Sequence, residues 1–114
     1  MRLKVEKSRF LGIAPYVVSW YLIGIRKERG GNMEKLLIAE TSRRFSQALT
    51  HALQDRYEVH CCSDGDAARS FLESLQPQVL ILNLALPYMD GLQVLLSSTY
   101  KPPVILAMTT IATN

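Results

Sequence analysis

Residues 77–91 read Pro-Gln-Val-Leu-Ile-Leu-Asn-Leu-Ala-Leu-Pro-Tyr-Met-Asp-Gly, an apolar run that stops on the amide of Asn83 and then turns through Pro87, Asp90 and Gly91. A second apolar run, residues 35–39, ends on Glu40 and Thr41, and a third, Val104–Met108, is followed by Thr109. Where such runs are parallel strands, ligands bind beyond their carboxyl ends. Glu40, Thr41, Asn83, Ala85, Met108 and Thr109 are therefore the candidate site residues. Together they supply one carboxylate, one amide and at most two hydroxyls. No acid is paired with a base, and no Gly-rich phosphate loop is present, so the set argues against an enzyme. His51 and His60 belong to no Cys, His and carboxylate cluster at ligand spacing, and no metal site is expected from them. The adjacent Cys61 and Cys62 point to opposite faces of a strand, which suits two free thiols in a reducing cytoplasm.

The elements that must position these residues alternate in type. Residues 35–39 form a short apolar strand. Ser42 can cap a helix whose apolar positions Phe45, Ala48, Leu49, Ala52 and Leu53 recur at helical spacing. Tyr57–Cys62 reads as a second strand. Asp64 and Gly65 open a helix with Ala67, Ala68, Phe71, Leu72 and Leu75 on one face, stopped by Pro77. Residues 79–82 are apolar on both faces and make a central third strand. A short helix over 91–98 and a strand over Val104–Met108 complete the pattern. Strands alternating with helices predict an α/β fold, a doubly wound parallel sheet with helices on both faces.

Over residues 34–109 the chain resembles the receiver domain of bacterial response regulators in two-component phosphorelays. The stretch from Leu82 to Gly91 is similar to that family's Leu-Asp-x-x-x-Pro-x-Met-x-Gly signature, with Asn83 in place of the aspartate. Supporting matches are 35–39 ahead of an acidic position, Asp64-Gly65 with Ala68, and Pro103-Val104-Ile105. The resemblance implies a flavodoxin-like sheet of order 2-1-3-4-5. It also implies a pocket in which the aspartate takes a phosphoryl group and an acidic pair helps to hold Mg²⁺, with a backbone carbonyl two residues past the aspartate. A Thr or Ser ending strand four contacts the phosphoryl group, and a Lys ending strand five neutralises it. Carried over residue by residue, Asn83 replaces the nucleophile, Glu40 keeps one metal acid, and Thr41 replaces the other. Ala85 is the carbonyl position, and the hydroxyl position falls on Met108, or on Thr109 after a one-residue slip. The resemblance therefore implies a pseudo-receiver with its Mg²⁺ site largely lost, unable to accept phosphate. It would act by protein–protein contact with a histidine kinase or with an output domain outside this chain. Two other readings remain: a flavodoxin-like ligand-binding or enzymatic domain, and a regulator tethered to a membrane by residues 10–25.

The charge is uneven. Residues 1–32 carry seven Lys or Arg against Glu6 and Glu28, a net +5, and residues 33–114 carry six against eight acids, a net −2. A basic face for nucleic acid is not supported on the globular part. Residues 10–25 contain no charge and are flanked by bases, but sixteen residues fall short of the ~20 that span a bilayer, and Pro15 weakens a helix. Purine-rich codons for Lys27-Glu28-Arg29-Gly30-Gly31 would spell a ribosome-binding sequence just ahead of Met33. Residues 1–32 are thus read as a translated leader, a weak membrane segment or an extra structural element, and 33–114 as the domain proper. Four strands are expected, with the family's fifth missing. That would leave Val104–Met108 as an exposed edge open to a homodimer or a swapped assembly.

Overall fold

The structure, a computed structural model, describes residues 2–6, 28–29 and 32–108. Its elements in chain order are β1 (Arg2–Glu6), β2 (Glu28–Arg29), β3 (Asn32–Ala39), α1 (Arg43–Leu53), β4 (Tyr57–Cys62), α2 (Gly65–Leu75), β5 (Val79–Asn83), α3 (Gly91–Ser97) and β6 (Val104–Met108). Five strands pair in parallel in the order β4-β3-β5-β6-β1, and β2 runs antiparallel to the start of β3. The four strands read from the sequence thus take the order 2-1-3-4 of a flavodoxin-like sheet.

One expectation is corrected. Val104–Met108 is not an edge, because Arg2–Glu6 lies beside it in parallel register from Arg2↔Val104 to Glu6↔Met108. A strand from the N-terminal segment therefore occupies the place beyond the fourth. The open edges of the described sheet are β1 and β4, and an assembly through β6 loses its premise. No local pattern announces this pairing, because its partners lie about a hundred residues apart in the chain.

Strand periodicity divides the core in two. Leu36, Ile38, Val79, Ile81, Leu106 and Met108 pack with Phe45, Leu49 and Leu53 of α1 on the first face. Leu37, Ala39, Leu80, Leu82 and Ile105 pack with Ala68 and Leu72 of α2 and Val94 of α3 on the second. Every residue of β5 is buried, as a central strand requires. Fully burying a leucine contributes about 2 kcal/mol, so these two layers carry most of the fold.

The helix boundaries follow from their caps. Ser42 Oγ accepts from Phe45 N at 3.1 Å, Asp64 Oδ1 from Ala67 N at 2.7 Å and Asp90 Oδ1 from Gln93 N at 2.9 Å. Each satisfies an N–H that the helix cannot. In α1 the buried stripe is Phe45, Ser46, Leu49 and Leu53, while Ala48 and Ala52 face solvent. Alanine carries too little apolar surface to decide which side of a helix turns inward, and Phe45 and Leu49 decide it instead.

Cys61 is exposed, and burial pushes the Cys62 thiol up to about 12, helped by the nearby Asp64 carboxylate and by Cys61. Only the thiolate reacts. In the folded chain at pH 8 a maleimide or disulfide reagent should label one thiol quickly, and Cys61→Ser should abolish that fast phase. The folded Cys62 thiol stays neutral after the unfolded one ionises, so this group favours folding below pH 9 and loses that contribution as pH rises towards 12. Urea titrations of the native chain and of Cys62→Ala across that range should diverge in that direction.

Candidate functional site

Three strand ends meet on the first face of the sheet. Glu40 follows β3, Asn83 ends β5, and Met108 ends β6 in register with Asn83. Glu40 and Asn83 are each 1 % exposed and Met108 is fully buried. Burial leaves the Glu40 carboxylate dependent on protein donors, and the adjacent loop supplies them. Ser42 N donates to Oε2 at 2.8 Å, and Thr41 Oγ1 donates to the same oxygen at 3.3 Å. Asn83 Nδ2 reaches both oxygens, at 3.2 Å to Oε1 and 3.4 Å to Oε2. On its other side, Asn83 Oδ1 accepts from Ala85 N at 2.9 Å, a turn that asparagine is suited to make. The amide thus uses both its ends, one towards the carboxylate and one towards the loop.

The loop residues have backbone roles. Pro87 O accepts from Gly65 N at 3.1 Å and from Met89 N at 2.8 Å. The second bond closes a three-residue turn across Tyr88, whose φ of 69° is rare for a residue with a side chain. A Cβ on Gly65 would lie 1.6 Å from Met89 O, so α2 can begin there only without one. Gly91 N donates to Leu84 O at 2.9 Å, and a Cβ on Gly91 would lie 2.8 Å from Asn83 O. Leu84 N donates to Met108 O at 2.9 Å, which ties the loop to β6. Asp90 caps α3, as described above.

The sequence-derived candidates therefore separate. Glu40, Thr41, Asn83 and the N–H of Ala85 form one hydrogen-bonded cluster. Met108 stands beside it in register with Asn83 and brings a buried thioether. Pro87, Asp90 and Gly91 hold the loop, and Thr109 lies outside the described residues. Sequence reasoning missed Arg43 and Ser63, which line an open cleft with Glu40, Thr41, Ser46, Cys61 and Cys62. Arg43 was legible only as the residue after a helix cap. Its place near Glu40 follows from how α1 leaves β3. Asn83 does not line this cleft.

Among known proteins, the family model for the response regulator receiver domain matches residues 36–114. The chain belongs to that family. This receiver is similar to the signal receiver domain of a Luxo repressor protein from Vibrio parahaemolyticus, with 29 % identity and a TM-score of 0.60, over 67 % of this chain and 62 % of that one. It is also similar to a LuxR-family DNA-binding response regulator from Staphylococcus aureus, with 27 % identity and a TM-score of 0.61, over 71 % and 72 % of the two chains. At 19 % identity and a TM-score of 0.59 it shares the fold of the receiver domain of a sensor histidine kinase from Pseudomonas aeruginosa, over 65 % and 66 % of the chains; that structure has magnesium coordinated in its active-site cleft. It is a receiver domain of the two-component signalling type.

Two substitutions test this geometry. Asn83→Asp sets a second carboxylate against Glu40 in a buried site, where two like charges cannot both ionise without a cation. It should destabilise the chain by about 3 kcal/mol near pH 8 and by clearly less at pH 5, since the repulsion appears only as the pair loses its proton. Urea denaturation at the two pH values measures this. Gly65→Ala forces the Pro87–Met89 turn away from α2, and the same measurement should show a loss of about 3 kcal/mol or more.

Proposed function

We propose that this receiver is a signalling module that does not accept phosphate and works by protein–protein contact. The partner would be a histidine kinase or an output domain outside this chain. The observation that carries this reading is the buried pair in which Asn83 Nδ2 donates to the Glu40 carboxylate at 3.2 Å. Phosphoryl transfer to a receiver needs an anionic side-chain oxygen at this position, open to the donor. Asn83 has a neutral amide oxygen, already engaged by Ala85 N–H, and is 1 % exposed.

The same geometry bears on the metal. Mg²⁺ takes six hard oxygens at about 2.0–2.1 Å and gives up water reluctantly, so it selects sites rich in carboxylates. Of the positions that the resemblance assigns to it, Glu40 alone carries a carboxylate. The groups facing that carboxylate are N–H and O–H donors, whose hydrogens repel a cation. These residues do not fit Mg²⁺, and no step is derived through it. Asn83 instead does for Glu40 what a cation does elsewhere, with a partial charge in place of a full one.

With neither nucleophile nor metal, what the chain offers a partner is a shaped surface of fixed conformation. The net −2 of residues 33–114 argues against nucleic acid as the direct ligand. Non-enzymatic signalling in the cytoplasm, where both cysteines stay reduced, is the function most in keeping with this chemistry.

Incubation with acetyl phosphate and Mg²⁺, followed by intact-mass measurement, separates the possibilities. The native chain should acquire no phosphoryl adduct, and neither should Asn83→Asp, because Thr41 and Met108 still lack the second acid and the hydroxyl. An adduct on the native chain would sink the proposal. An adduct on Asn83→Asp alone would show that the rest of the pocket is intact.

A further inference from the structure

The two open edges of the described sheet, β1 and β4, differ in character. β1 carries Arg2, Lys4 and Glu6 among its five residues, the kind of charge density with which natural edges discourage pairing. β4, Tyr-Glu-Val-His-Cys-Cys, contains no proline and no lysine. It has no bulge either, since its register with β3 runs unbroken from Glu34↔Tyr57 to Ala39↔Cys62. An edge of this kind is a template for another strand.

The backbone shows which residues would meet that strand. Glu40 N donates to Cys62 O at 3.0 Å, so Cys62 turns its peptide groups towards β3. Peptide directions alternate along a strand. Glu58 and His60 therefore also face inward, and Val59 and Cys61 present N–H and C=O to the open side. On the first face an open cleft between α1 and Cys61, lined by Gln47, Thr50, His51 and Gln54, leaves room beside this edge. On the second face Glu58 and His60 stand together, 50 % and 33 % exposed, with Glu58 Oε2 2.7 Å from His60 Nε2.

This charge pattern is complementary to itself. Antiparallel pairing about a two-fold axis at Val59 sets Glu58 opposite the copy's His60, and His60 opposite the copy's Glu58. Because both residues turn their peptide groups inward, they fall at the closer positions of the new ladder, with Cα atoms about 4.5 Å apart. Opposite charges stabilise such positions and like charges destabilise them. Moving the axis by one residue sets Glu58 against Glu58 or His60 against His60, and the complementarity is lost.

We propose that two copies of this receiver pair through β4, antiparallel and centred on Val59, so that one sheet runs through both. The contact is isologous and closes at two copies. It requires neither a phosphoryl group nor another protein. One short strand buries little surface, so the association is weak, with a Kd on the order of 100 µM.

Sedimentation equilibrium of the full-length chain tests this. The average mass should rise from 12.8 kDa towards twice that value as concentration passes through the Kd. His60→Glu, at a partly exposed side chain, sets like charges against each other and should weaken the association about tenfold. Glu58→His combined with His60→Glu exchanges the two partners and should restore it, with unchanged circular dichroism. The native chain gives a second readout without substitution, since amide hydrogen exchange at Val59 and Cys61 should slow as concentration rises. A mass that stays at 12.8 kDa up to about 1 mM, tenfold above the expected Kd, would overturn the proposal. So would an exchanged pair that does not restore association. Slow exchange at both amides in the monomer would overturn it in favour of a cover from the same chain. Association that leaves both amides unchanged would overturn it in favour of another surface.

Discussion

A carboxylate buried at the carboxyl ends of parallel strands must be met by a cation or by hydrogen-bond donors, because an uncompensated buried charge is costly enough to unfold a small domain. In this receiver Glu40 is that carboxylate, and the chain around it is arranged to supply donors. Ser42 offers its N–H while capping α1 with its hydroxyl, so the start of the helix and the neutralisation of the acid are one arrangement. Asn83 spans from Glu40 to the Ala85 N–H and ties the end of β5 to the loop that follows. The amide therefore links strand end, loop and carboxylate. It closes the pocket from within.

Most residues of the neighbouring motif serve the backbone. Gly65 and Gly91 leave room for the Met89 and Asn83 carbonyls, Asp90 starts α3, and Pro87 O receives the N–H of Gly65. None of these duties involves phosphate. A sequence can thus carry nearly the whole signature of a phosphate acceptor and still lack the one anionic oxygen on which the reaction depends. The inference from motif to fold is sound here, and activity has to be argued from the site itself.

The other constraint on the molecule is geometric. A doubly wound sheet needs both faces covered and its connections of one hand. The helices between β3 and β6 meet this on the second face and on the β4 side of the first. The parallel placement of β1 extends the sheet beyond β6.

Much of the fold was legible from residues alone. The runs ending at Ala39, Asn83 and Met108, the caps Ser42, Asp64 and Asp90, and the glycines at 65 and 91 are local signals. Each reflects a side-chain period or a backbone angle set within a few residues, and together they specify strands, helices and their alternation. The loss of an anionic oxygen at position 83 was also plain, since an amide is an amide in any fold. What only the tertiary structure decided is how these pieces face one another: that Asn83 Nδ2 turns onto Glu40, that Arg43 rims the cleft, that Ala48 and Ala52 lie outside the core, and that Arg2–Glu6 pairs with Val104–Met108. Such contacts join residues on different elements, up to a hundred positions apart. They are selected by packing and by the satisfaction of buried polar groups, and neither leaves a mark in any short stretch of sequence.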